Sequence, residues 1–361
     1  MNPFVPKKLP FDDLNLLYFM NELIEANKNI ARYQEILNSS KISWDILINP
    51  LLLQEAVQST KIEGTQVTID EVLESELENN KEKDDNVTEV LNYYKALVFG
   101  EDSLKRLPLG TRIFKKLHEI LMSDNVRGKN KSPGEFRRIQ NFIGPTGCTV
   151  KTATFVPPEP QLVDDYISNL EKYMNDRDDA IDPLIKIAII HAQFETIHPF
   201  LDGNGRIGRI LIPLYLYDVS LIDAPNFFIS DTLEKDKFRY YKMLNDTRLN
   251  NKWNEWIKFF IESINEQAKK NINVLKIINN NYEESIETAR KLVKNNKIID
   301  IVEMMYRVPI FNVNKMAELT GIQSQTCRKY LNVLESNNVI FSDGKSRGKT
   351  YYNYTLLENL R

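Results

Sequence analysis

The 361-residue chain is poor in the residues that most often announce special chemistry, with only three histidines, two cysteines and three tryptophans. Cys148 and Cys327 lie far apart in sequence and show no metal-ligand spacing, which excludes a zinc-finger scaffold and a disulfide-stapled small domain. No stretch reaches the about 20 apolar residues of a membrane span, so no membrane partner is expected. The opening "MNPFVPKKLPFDDLNLLYFM" has no apolar run behind a basic start, so the expectation is no secretory signal and a reducing, cytoplasmic location. Internal repeats and long low-complexity runs are missing as well, which argues against a solenoid or a disordered chain. A net charge of −3 excludes the overall basic balance of a protein coated for nucleic acid.

That balance hides an asymmetry. From Arg290 onward, 12 Lys/Arg face 6 Asp/Glu, about +6, so the remainder carries about −9. A basic C-terminal part points to an acidic partner there and not elsewhere.

What is present is mainly helical pattern. "LNLLYFMNELIEANKNIARYQEIL" has apolar residues every three or four positions, and "NPLLLQEAVQSTKIEG" reads as a second helix closed by Gly64. Thr68 and Glu71 form a capping-box pattern ahead of "VLESEL", and the polar "ENNKEKDDN" is a solvated break before another helix. Between residues 125 and 160 the chain turns rich in Gly and Pro, with β-branched pieces around "GPTG". This predicts an irregular loop with a small β-hairpin, closed by Pro157-Pro158. Asp182-Pro183 then opens "LIKIAIIHAQFETI", apolar almost all round and therefore the expected central buried helix, with His191 inside it structural, as is His118. Downstream, "NKWNEWIKFFIESINEQ" runs into a long polar helix or linker reaching about residue 290. The last segment reads as three short helices and a two-stranded hairpin over "IFSDGKSRGKTYYNYTLL", a winged-helix pattern.

The stretch "ETIHPFLDGNGRIGRILIPLY" (195–215) concentrates the chemistry. Pro199 stops the buried helix just after His198, so the imidazole projects from a helix end. Gly203, Asn204 and Gly205 tolerate positive φ and expose successive N–H groups, the geometry of an anion nest, with a new helix expected near Arg206. Arg206 and Arg209 share one face of its first turn. Basic residues there oppose the helix dipole, which calls for an anion to offset them. Two guanidiniums and a nest suit two or three phosphates, and the lone carboxylate Asp202 suits Mg²⁺ better than zinc. A Gly-Asn-Gly turn by itself is commonly only a turn; the company it keeps here decides otherwise.

"HPFLDGNGR" followed by Ile207-Gly208-Arg209 matches the Fic motif HPFx[D/E]GNGRxxR at every specified position. The chain resembles the Fic family in this motif and over "GEFRRIQNFIG", "FVPPEP" and "HAQFETIHPF". That resemblance implies a mainly α fold in four parts: an N-terminal helical region (1–105), a Fic catalytic core (106–265) with a β-hairpin flap, a helical linker (266–290) and a winged-helix-like domain (291–361). It implies a nucleotidyltransferase that moves AMP from ATP to a Ser, Thr or Tyr hydroxyl of a target protein or of itself. His198 would be the general base and Asp202 the Mg²⁺ ligand. Gly203, Asn204, Gly205 and Gly208 would line the ATP site, with Arg206 on the β-phosphate and Arg209 on the γ-phosphate. Tyr240 would lie near the base, Arg248 stands where some relatives have Asn, and Thr152, Ala153, Thr154, Phe155 and Val156 would form the flap edge to which a target segment adds.

"STKIEG" (59–64) matches the inhibitory pattern [S/T]xxxE[G/N] through Ser59, Glu63 and Gly64. Upstream of a complete motif, it resembles the class II members that carry their own inhibitor. Glu63 is then expected in a bidentate pair with Arg209, in the way of the γ-phosphate. Removal of AMP, alone or beside its transfer, is the alternative within the same chemistry, and homodimerisation is an open route to regulation. A reading from another class is a winged-helix DNA-binding regulator that senses nucleotide through its Fic domain, with Lys345, Arg347 and Lys349 at the wing tip.

Overall fold

The computed structural model describes residues 2–361 apart from 12–13, 78–83, 125, 145–146 and 150. Its helices are α1 (Met20–Asn38), α2 (Trp44–Ile62), α3 (Ile69–Ser75), α4 (Asp85–Leu104), α5 (Thr111–Leu121), α6 (Val163–Asn175), α7 (Pro183–Ile197), α8 (Asn204–Asp218), α9 (Ser230–Lys235), α10 (Lys237–Asn250) and α11 (Trp253–Leu292). A C-terminal unit follows: α12 (Lys297–Arg307), β1 (Ile310–Asn312), α13 (Val313–Thr320), α14 (Ser324–Ser336), β2 (Phe341–Ser342), β3 (Thr350–Tyr352) and α15 (Tyr354–Leu360).

The expected central helix is α7. Asp182 caps its N-terminus by accepting from the Leu184 N–H, Pro183 occupies its first turn, and every residue from Leu184 to Ile197 is buried. At roughly 1.5–3 kcal/mol for each large apolar side chain removed from water, this run dominates the local stability. Helices α6, α8, α10 and α11 pack around it. The fixed centre lets both ends of the next loop, from α7 to α8, be held rigidly.

Helix α2 starts at Trp44, five residues before the predicted start, and continues through Pro50. A proline inside a helix costs one backbone hydrogen bond, and burial of α2 against α4 and α9 outweighs that loss. The capping box ahead of α3 is present: Thr68 N–H donates to the Glu71 carboxylate at 2.7 Å and the Thr68 hydroxyl accepts from the Glu71 N–H at 3.3 Å. Most of the polar break before α4 lies outside the described residues.

Three expectations need correction. The hairpin near "GPTG" is a single antiparallel bridge, Ile143 to Phe155, among the described residues; two of its turn residues, Pro145 and Thr146, and Val150 lie outside them. The stretch 266–290 is not a separate linker but the second half of α11, one 40-residue helix whose length packs first on α1 and then on α12 and α15. The final hairpin ends early: Asn353 caps α15 through the Leu356 N–H, so "YTLL" is helical. A short strand missed by the sequence pattern, β1, completes a three-stranded antiparallel sheet in the order β1-β3-β2, with Ile310 opposite Tyr352 and Phe341 opposite the other side of Tyr352. This unit leans on the N-terminal region. Helix α12 packs on α2, the Tyr352 hydroxyl donates to Glu74 at 3.0 Å, and Arg361 pairs with Asp70. No described helix is long and apolar enough to cross a membrane.

Candidate active site

The site is the loop between α7 and α8 together with the end of α2. His198 follows the last residue of α7 in a left-handed conformation (φ 50, ψ 60), which costs a non-glycine residue roughly 1–2 kcal/mol. Arg137 offsets that strain. Its guanidinium donates to the carbonyls of His198 (2.9 Å), Ile197 (3.3 Å) and Pro158 (2.6 Å), while its own N–H reaches the Pro199 carbonyl at 2.8 Å. Arg137 therefore caps the C-terminal end of α7 and ties it to the base of the flap.

The His198 Nδ1 faces the Glu195 carbonyl at 3.3 Å, and this acceptor favours the tautomer with the proton on Nδ1 and a lone pair on Nε2. Burial, then the positive charges of Arg248 and Arg137, push the imidazole down to about 4. It is thus neutral at pH 7, the state a base requires. Glu195 sits beneath it with Oε2 4.0 Å from Nδ1, and burial pushes that carboxyl up to about 7.

The loop itself is held by side chains. Asn204 accepts from the Phe200 N–H and donates to the Phe200 carbonyl, both at 2.8 Å. His118, stacked on Phe200 at 3.9 Å, accepts from the Gly134 N–H and so donates through Nε2 to the Asp202 carbonyl at 3.1 Å. Burial lowers His118 to about 4 and His191 to about 3. His191 spends its ring nitrogens on the Gly208 carbonyl (3.0 Å) and the Tyr240 hydroxyl (2.8 Å). Both are structural.

Helix α8 begins at Asn204, earlier than predicted, with Gly203 as N-cap at φ 75. Of the three nest residues only Gly203 has positive φ; Asn204 and Gly205 are already helical. The anion-facing donors are thus the backbone N–H groups of the first turn, which have no intrahelical acceptor. The Asn204 side chain is committed to the loop, so its share of any cradle is its backbone alone.

Arg206 and Arg209 are each 1% exposed. The Arg206 Nε and Nη1 are buried without a hydrogen-bond partner, and its nearest carboxylates, Glu89 and Asp202, stand at 3.6 and 3.8 Å. Arg209 donates to the Ser59 hydroxyl (2.8 Å), the Ser59 carbonyl (3.0 Å) and one Glu63 oxygen (2.7 Å), leaving only Nη1 unpartnered. The Glu63 contact is therefore single-oxygen, not bidentate: Nη2 is shared between Glu63 and the Ser59 carbonyl, Nε goes to the Ser59 hydroxyl, and Nη1 meets no acceptor. A Cβ on Gly205 would stand 2.3 Å from the Glu63 carboxylate, so only glycine there admits this approach. Burial acts to raise the Glu63 carboxyl, but the charge and hydrogen bond of Arg209 leave it below its ordinary range. Asp202 likewise ends low: burial raises it, while the Lys131 ammonium at 3.0 Å, Arg206 and the Gly203 N–H lower it further.

Tyr240 is buried against His191 and Trp256, and its neighbour Tyr241 is 38% exposed, with a phenol that feels both Glu63 and Arg209. In the flap, Ala153, Phe155 and Val156 are buried and Thr152 and Thr154 exposed. Arg248 lies over the Phe155 ring at 4.2 Å and donates to Thr196 of α7 at 3.1 Å. The residues the sequence reading passed over, Arg137, Glu195, Glu89, Lys131 and Tyr241, act on the motif from several elements. Only Glu195, three positions before His198, carried a local signal.

A model described as Fic/DOC family N-terminal matches residues 20–102, and one described as Fic/DOC family matches residues 108–216; together they cover more than half of the chain. Among curated proteins, the probable protein adenylyltransferase aq_aa38 of Aquifex aeolicus (strain VF5) is 27% identical over 189 residues, 52% of this chain and 54% of that protein. The protein adenylyltransferase Fic of Drosophila grimshawi is 26% identical over 200 residues, 54% of this chain and 38% of that protein. The match thus spans about half, or less, of these relatives' length. Among solved structures, a Fic family protein from Desulfovibrio desulfuricans G20 superposes with a TM-score of 0.60 at 17% identity, covering 97% of this chain and 98% of that one. The fold is therefore the Fic fold across almost the whole chain, and the chain belongs to the Fic/DOC family.

Proposed function

We propose that the protein is an adenylyltransferase held in check by its own Glu63. The observation that carries this reading is a neutral, oriented imidazole together with a buried guanidinium, Arg206, whose Nε and Nη1 have no hydrogen-bond partner and whose carboxylates, Glu89 and Asp202, stand off at 3.6 and 3.8 Å. A buried cation without hydrogen-bond acceptors is costly, and a polyphosphate at the α8 N-terminus would supply them.

In this reading a target Ser, Thr or Tyr hydroxyl attacks the α-phosphorus of ATP. Its proton passes to His198 Nε2, the new P–O bond forms as the bond to the β-phosphate oxygen breaks, and pyrophosphate leaves. Arg206 and the first-turn N–H groups of Asn204 and Gly205 would take up charge as it moves onto the leaving phosphates. Arg209 would hold the γ-phosphate, but Ser59 and Glu63 now hold Arg209. Tyr240 would act from behind, by fixing His191 and hence the Gly208 carbonyl.

The donor set fits Mg²⁺. Asp202 offers one carboxylate beside the phosphate site, no cluster of three or more metal-binding side chains occurs among the described residues, and Mg²⁺ commonly takes one carboxylate plus phosphate oxygens and water. Lys131, now on the Asp202 carboxylate, would have to yield. The ion would offset phosphate charge.

Glu63 could also hold a water for removal of AMP, which makes a bifunctional enzyme the second reading. We read the C-terminal unit as a winged helix that contacts protein, since Lys345 and Lys349 of the wing are already paired with Asp343 and Glu335. A salt-dependent gel shift lost on deleting residues 291–361 would instead favour a DNA-binding regulator. The catalytic reading is tested by incubating the Glu63→Gly protein with labelled ATP and cell lysate. Protein-bound label is expected, and none is expected with His198→Ala added. Equal label with and without His198 would sink the assignment.

A further inference from the structure

The flap is too short to hold itself. One bridge joins Ile143 to Phe155, with Ile143 N–H donating to the Phe155 carbonyl at 2.8 Å and the Thr154 and Phe155 N–H groups converging on the Ile143 carbonyl at 2.8 and 3.1 Å. Isolated two-stranded pairings are marginal in water even when longer. Yet Phe155 is 1% exposed, so something else covers it.

The cover is the segment of residues 4–9, which runs across the outside of the catalytic helices. Asn169 of α6 grips Leu9 from both sides, accepting from its N–H and donating to its carbonyl at 2.9 Å each. Gln193 of α7 donates to the Lys7 carbonyl at 2.9 Å. Pro6 and Leu9 are buried between these anchors. The segment then reaches the flap, where Phe4 N–H donates to the Val156 carbonyl at 3.0 Å and the Phe4 ring packs on Phe155 at 5.6 Å. Phe155 thus contacts both Phe4 and the Arg248 guanidinium, which is itself bonded to Thr196, two residues before His198.

We propose that residues 4–9 are a strap that fixes the flap for target docking, with Phe4 a positioning residue for the transfer reaction. Its backbone extends the flap edge at Val156 and leaves the stretch 152–154, with Thr152 and Thr154 exposed, as the part to which a target segment pairs by strand addition. Its ring seats Phe155 on Arg248, so flap and base share one register. The docking half of this inference rests on the transferase reading; the mechanical half does not.

The test uses the full chain carrying Glu63→Gly, compared with the same chain bearing Phe4→Ala, Phe4→Tyr or the control Val5→Ala, whose native side chain is 69% exposed. In Phe4→Ala, hydrogen exchange of the Thr154 and Phe155 amides accelerates by about tenfold or more, with melting temperature and α7 protection retained. ATP affinity stays within about twofold, while label transferred from ATP to lysate proteins at limiting lysate falls about tenfold, as expected when acceptor docking and not nucleotide binding is lost. Phe4→Tyr restores both readouts and Val5→Ala changes neither. Unchanged flap exchange in Phe4→Ala overturns the strap. A rise in transfer overturns its docking role, because the segment would then be a competitor for the flap edge. If Glu63→Gly itself transfers no label, the transferase reading fails, and the exchange measurement still decides the strap.

Discussion

Arg206 and Arg209 stand three residues apart on α8, equally buried, and meet opposite surroundings. Arg209 is claimed by the end of α2, with Ser59 and Glu63 accepting three of its hydrogen bonds. Among the described residues the Arg206 Nε and Nη1 have no hydrogen-bond partner; Glu89, itself engaged by the Thr65 hydroxyl at 2.7 Å, stands off at 3.6 Å. In the proposed reading, the guanidinium whose carboxylates stand at a distance is open to a ligand, and the one held by three hydrogen bonds is restrained. In that reading the same guanidinium group is a standing receptor at one position and a latch at the other. The proposed latch needs a glycine beside it, since a Cβ on Gly205 would stand 2.3 Å from the Glu63 carboxylate.

This contrast orders the expected effects of mutation. Replacing Arg206 by Ala in the Glu63→Gly chain should cost the most, about 100-fold or more in label transfer, because donors aimed at developing phosphate charge are typically worth that much. A loss below about fivefold would mean that the idle guanidinium is only structural. Arg209→Ala in the same background is expected to cost about tenfold, mainly in the concentration of ATP required, since it holds a phosphate remote from the reacting atom. If the two substitutions weigh equally, the division into receptor and latch is wrong. Ser59→Ala with Glu63 intact removes one buried hydrogen bond of about 1 kcal/mol, so basal transfer should rise roughly fivefold, far less than on removing Glu63. No rise would place the whole latch in the carboxylate.

The smallest effect concerns pH. His198 is depressed to about 4, so its neutral form persists well below the ordinary histidine range. Transfer by the Glu63→Gly chain should therefore change little between pH 8 and about 5 and fall only as pH drops through about 4. An acid limb near 6.5 would contradict the burial of the base in the working state. Arg209 holds the Glu63 carboxyl below its ordinary range, so mild acid, down to about pH 5, should not open the latch.

Much of the site was legible because its motif is local. His198, Asp202, Gly203, Arg206 and Arg209 fall within one loop and the first two turns of one helix, and Glu63 is recognisable once that motif is seen. What sequence spacing could not supply are the partners that arrive from elsewhere in the fold. Arg137 reaches the end of α7 from the long loop, Arg248 comes from α10, and Glu89 comes from α4. The resemblance implies Asn204 in a phosphate cradle; its side-chain amide closes the loop on Phe200, which leaves its backbone N–H for that role. The helical fold was readable from periodicity, with errors where short segments depend on neighbours. Three residues of β1 form a strand only because β3 pairs with them, and Pro50 stays helical only because α2 is packed.

The central claim is that Glu63 restrains a competent site by holding Arg209. The direct measurement is the initial rate of protein-bound label from labelled ATP in the parent chain and in Glu63→Gly, at equal concentration and with nucleotide affinity measured alongside. The account predicts a rise of at least about tenfold in Glu63→Gly, abolished again by His198→Ala. Equal rates in parent and variant, with ATP bound by both, would contradict it.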